Sequence, residues 1–120
     1  MTQYGWQLCL AAQSGLRIRP TSLKLRQREG TSRSRHGEAL LRQSVPSRAD
    51  VELQASNQCF QEVLRSDFET DPESLRVRSM SYRGLIYNLE LLGRLDEATQ
   101  SLGRWLAEPH DGQAAMIAAG

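Results

Sequence analysis

The stretch DPESLRVRSMSYRGLIYNLELLGRLDEATQSLGRWLAEP (Asp71–Pro109) decides the fold. Asp71 followed by Pro72 reads as a helix start. The carboxylate can accept the free amide hydrogens of the first turn, and proline at the first helical position gives up an amide that would be unpaired there anyway. Glu73 adds negative charge at the positive end of the helix dipole. Leu75, Tyr82, Leu85, Ile86, Leu89 and Leu92 then recur at helical spacing down to Gly93. Glycine closes a helix at little cost because it adopts the left-handed cap freely. Beyond Arg94, the residues Leu95, Ala98, Leu102, Trp105 and Leu106 define a second helix, which Glu108-Pro109-His110-Asp111 stops. Asp111 can cap a final helix of small apolar residues, Gly112 to Ala119.

Upstream, Pro46-Ser47 marks a boundary, and Arg48 to Arg65 reads as a helix. Its stripe is Leu53, Ser56, Phe60, Val63 and Leu64. The segment SDFETD breaks that pattern. Ahead of Pro46 no comparable stripe exists. Residues 2–13 can form a short helix capped by Thr2, with Tyr4, Leu8 and Ala12 on one face; Gly5 weakens it and Gly15 ends it. From Gly15 to Ser34 the chain reads as irregular, because Pro20, Gly30 and TSRSR interrupt it. Short helical pieces fit Thr21–Arg28 and Glu38–Gln43. The expected architecture is all-α: a basic, poorly ordered arm over 1–46, then helical hairpins over 47–120.

Charge supports that division. The net charge of +1 splits into +7 for residues 1–48 and −6 for residues 49–120. An apolar fraction of 39% over 120 residues allows only a modest core, so the isolated chain is expected to be marginally stable or oligomeric. Cys9 and Cys59 match no metal or CxxC spacing and read as free thiols. No apolar run is long enough for a transmembrane helix, although peripheral membrane association stays open. The Arg- and Ser-rich, acid-poor N-terminus invites a mitochondrial presequence reading, but its basic residues begin only at Arg17.

No enzymatic constellation stands out. His36 and His110 are far apart and read as loop or capping residues. There is no nucleophile elbow and no Gly-rich phosphate loop after a strand. Asp67, Glu69, Asp71 and Glu73 form an acidic cluster without the glycine and terminal glutamate of a calcium loop. No cofactor or metal is expected. The basic N-terminal segment lacks interleaved aromatics, which leaves nucleic acid a weak alternative partner.

Residues 79–112 resemble a tetratricopeptide repeat, whose period is 34 residues. With Ser79 as the first position, Tyr82, Leu85, Gly93, Ala98 and Leu102 fall in the family's register, and GRLDEA (Gly93–Ala98) is the most specific tract. Ile86 and Trp105 stand where the family has small residues, and Pro109 comes one residue early. The order of features is also similar to the family of the tetratricopeptide subunit, subunit 2, of the endoplasmic reticulum membrane protein complex. The elements are CFQEVL (Cys59–Leu64), Phe68, SLRV (Ser74–Val77), ELLGRLDEA (Glu90–Ala98) and EP (Glu108–Pro109). These resemblances imply a non-catalytic scaffold or adaptor. Its partners would be subunits of a larger complex, and its place the cytoplasm, at the cytosolic face of the endoplasmic reticulum. On the inner helix, Met80, Arg83, Tyr87 and Glu90 would meet the partner. Tyr82, Leu85, Gly93, Ala98, Leu102 and Trp105 would define the repeat. The bulk of Ile86 and Trp105 is expected to leave the hairpin in need of a partner.

Overall fold

The computed structural model describes residues 20–66 and 70–119. Among them the helices are α1 (Pro20–Arg42), α2 (Pro46–Arg65), α3 (Pro72–Leu91), α4 (Leu95–Ala107) and α5 (Gln113–Ala119). The expected helix over 2–13, with Cys9, lies outside the described residues, as do Asp67, Phe68 and Glu69.

The helix starts follow local chemistry. Asp71 caps α3, its carboxylate accepting from the Ser74 amide at 3.1 Å, with Pro72 in the first turn. Pro46 likewise opens α2. Asp111 Oδ1 accepts from the Gln113 amide at 3.2 Å and from Ser79 Oγ at 3.0 Å. That bond ties the start of α5 to α3.

The chain forms two antiparallel hairpins, α1–α2 and α3–α4, that close with the same turn. Two residues past α1, Ser44 sits at φ 62; two residues past α3, Gly93 sits at φ 75. In the first turn Ser44 N donates to Leu41 O (3.1 Å) and Val45 N to Leu40 O (2.9 Å). In the second, Gly93 N donates to Glu90 O (3.0 Å) and Arg94 N to Leu89 O (2.8 Å). Both turns thus satisfy the last helical carbonyls through a left-handed residue. They stand 49 positions apart, more than the 34-residue period expected from the sequence. Leu40, Ala49 and Leu53 of the first hairpin correspond at that spacing to Leu89, Ala98 and Leu102 of the second.

Over Pro20–Arg42, helix α1 corrects the expectations of irregular chain from Gly15 to Ser34 and of a poorly ordered arm over 1–46, whose first 19 residues lie outside the described ones. From Pro20 onward that stretch is one continuous helix. Pro20 is its first residue, where proline is tolerated, so it starts the helix rather than breaking one. The buried face of α1 is Leu23, Arg26, Gln27, Gly30, Ser34, Gly37 and Leu40. That face has helical spacing but is mostly polar or glycine. Gly30 and Gly37 serve close approach: a Cβ at Gly30 would lie 2.7 Å from Phe60 Cε1, and one at Gly37 2.8 Å from Leu53 Cγ.

Polar groups on this face are paired. Arg26 Nε donates to Glu62 Oε2 at 2.7 Å, and Arg26 Nη1 to Glu29 Oε2 at 2.7 Å. Burial alone would favour neutral Arg26, but the bonds to Glu62 and Glu29 hold its guanidinium above the ordinary value. Asn88, fully buried on α3, donates to Ser56 Oγ (2.8 Å) and Asn57 Oδ1 (2.9 Å) of α2, and accepts from Ser34 Oγ of α1 (2.5 Å). Ser56 Oγ donates onward to Gly30 O at 2.6 Å. This network pins three helices at one point and leaves little orientational freedom.

The principal apolar core joins Phe60, Tyr82, Leu85, Ile86, Leu89, Ala98, Trp105 and Ala114. Trp105 is only 1% exposed and stacks on Tyr82, with ring centroids 5.5 Å apart. Its bulk is therefore accommodated within the chain, against the expectation that it calls for a partner. Small neighbours on α4 and α5, Ala98 and Ala114, make the room. Two residues assigned to the α4 stripe face outward: Leu95 is 62% and Leu106 40% exposed. Leu95 opens α4 directly after the tight turn; Leu106 is turned about 100° from buried Trp105. No helix among the described residues is long and apolar enough to cross a membrane.

Candidate partner-binding groove

Helices α1 and α3 run parallel, since Lys24 meets Glu73 at one end and Ser34 meets Asn88 nearer the other. Between them, with α5 alongside, lies a groove of about 500 Å³. Phe60 of α2 reaches its floor. The four residues selected from the sequence, Met80, Arg83, Tyr87 and Glu90, all line it. They recur at i, i+3, i+7 and i+10 on the face of α3 opposite its core stripe. Met80 and Tyr87 are 41% and 43% exposed, and Ile117 of α5 adds a third exposed apolar side chain.

The opposite wall was not legible in the sequence. It is Gln27, Thr31, Ser34, Arg35 and Glu38 of α1, in the stretch read largely as irregular. Arg83 is oriented by α5, donating to Gln113 Oε1 at 3.1 Å. The Tyr87 phenol is held above its ordinary value, first by its hydrogen bond with the Glu38 carboxylate. The acids Glu38 and Glu90 share one end of the groove with Tyr87, while Arg83 lies nearer the other. The surface thus combines the exposed apolar side chains Met80, Tyr87 and Ile117 with the charged Arg35, Glu38, Arg83 and Glu90.

The remaining candidates lie outside this groove. Tyr82 donates to Glu108 Oε2 at 3.0 Å, and Arg78 Nη2 donates to the same oxygen at 3.0 Å. This cluster ties α3 to the end of α4. His36 Nδ1 lies 3.4 Å from Glu52 on the surface, and His110 Nδ1 accepts from the Gly112 amide at 3.0 Å. Glu73 pairs with Lys24 at 3.5 Å, and Asp71 is a cap, so these two members of the acidic cluster have separate partners. Among the described residues no three His, Cys, Asp or Glu side chains converge to hold a metal. Cys59 is a buried free thiol, pushed up to about 11 by burial.

Comparison with protein-family models, curated proteins and solved structures returns no match.

Proposed function

We propose that this chain is a non-catalytic scaffold of tetratricopeptide-like helical hairpins, which holds an amphipathic helical segment of a protein partner in the α1–α3 groove. The observation that carries this reading is the shared position of Met80, Arg83, Tyr87 and Glu90 on one open groove wall. Apolar ridges entering such a groove at helical spacing are a recurring mode of peptide recognition. The repeated turn at Ser44 and Gly93 and the parallel course of α1 and α3 support the hairpin-repeat part of the reading.

Photocrosslinking tests it. A photoreactive residue at Tyr87 or Met80 should trap the same partner polypeptide, and one at Leu95, on a different surface, should not. Equal trapping from all three positions would count against the groove. The closer reading, a subunit of the endoplasmic reticulum membrane protein complex, is tested by the same material. Recovery of that complex's other subunits supports it, and trapping of unrelated proteins alone removes it.

A further inference from the structure

We propose that a second cleft, between α2 and α4, binds an extended acidic peptide through Arg65 and Arg104. The cleft has a volume of about 370 Å³. Helices α2 and α4 each run antiparallel to α3 and hence parallel to one another. Phe60 lies level with Gly84, and Trp105 with Tyr82, so Arg65 and Arg104 come to the same end of the cleft. Neither has an ion-pair partner among the described residues. Among those residues the cleft's carboxylate is Glu97, already held by two bonds from Arg94. Among the described residues, two guanidinium groups without a carboxylate partner thus face one cleft, and its lining carries more positive than negative side chains. They are a fit for carboxylate oxygens, which guanidinium groups bind in a two-pronged geometry.

The rest of the lining selects the class of anion. Gln61 and Gln100 lie along the cleft, and each amide offers both a donor and an acceptor. That pairing matches the alternating N–H and C=O groups of an extended chain. Leu64 and Leu85 supply an apolar floor for an interleaved side chain. The Tyr82 ring is stacked on Trp105, which disfavours base stacking and thus nucleic acid.

The test uses the full chain and a fluorescent peptide of alternating Glu and Leu, read by anisotropy. Saturable binding should weaken at least about tenfold in Arg65→Gln and in Arg104→Gln, the loss of one charge-assisted contact. A peptide with Gln in place of Glu should bind at least as weakly as those variants. Met80→Glu, in the other groove, should leave this binding unchanged, so the two sites can fail separately. Both arginines are exposed, and unchanged circular dichroism verifies that the variants fold. Absence of saturable binding overturns the proposal. So does undiminished binding by the Arg65→Gln/Arg104→Gln double variant, or tighter binding of an RNA oligonucleotide of equal charge.

Discussion

Phe60 of α2 is clamped between two glycines, and at Gly84 of α3 an added Cβ would lie 2.5 Å from its Cε2. The ring is fully buried, and Gly30 of α1 faces it from the other side. One side chain thereby sets how closely three helices approach.

Gly84→Ala should therefore destabilise the protein despite alanine's better helix propensity. Overpacking a tight site costs about 1–3 kcal/mol, against a propensity gain of about 1 kcal/mol. Gly103, also helical, has open space where a Cβ would stand, with nothing within 4 Å, so Gly103→Ala should stabilise by about 1 kcal/mol. Denaturant titration of both variants checks the opposite signs.

The buried pair Arg26–Glu62 gives a second prediction. Glu62→Leu leaves Arg26 paired with Glu29 alone and should be destabilising by less than the about 3–5 kcal/mol of fully orphaning a buried charge. Arg26→Met combined with Glu62→Leu should recover most of that loss. A double-mutant cycle by equilibrium unfolding measures the coupling.

Much of the fold was legible because α2, α3 and α4 carry ordinary signals. Pro46, Asp71-Pro72 and Gly93 mark ends, and apolar side chains recur at helical spacing between them. Helix α1 was not legible for a physical reason. Between Leu23 and Leu40 its inward positions are Arg26, Gln27, Gly30, Ser34 and Gly37, whose burial depends on contacts with other helices. A search for apolar periodicity cannot register a stripe satisfied by Glu62, Asn88 and ring contact with Phe60. The groove inherits this limit: its α3 wall was readable from spacing, while the α1 wall was hidden with its helix. Leu95 shows the converse, an apolar residue in phase with a stripe but left exposed.

The Asp71 cap predicts an acid-sensitive step. Its hydrogen bonds to Ser74 hold the carboxyl below its ordinary value, so the folded state favours the charged form. Its contribution is present above the ordinary aspartate range and is lost as pH falls through the lowered value. Asp71→Asn keeps a capping oxygen but removes the titration. The gap in melting temperature between wild type and Asp71→Asn should thus shrink on acidification; a gap independent of pH would argue against the cap.

Cys59 should be chemically silent in the native state. Burial keeps the thiol protonated at pH 8, and the thiolate is the reactive form. In a Cys9→Ser background, a thiol reagent should label Cys59 only at the rate of protein opening, and denaturant should release full labelling.

The groove is tested most directly by quantitative co-purification with the Met80→Glu/Tyr87→Glu double variant. Both side chains are exposed, so the fold should persist, as circular dichroism can verify. The account predicts that this variant loses a specific partner that wild type and Leu95→Glu both retain. Retention of the same partners at the same level by all three proteins would contradict it.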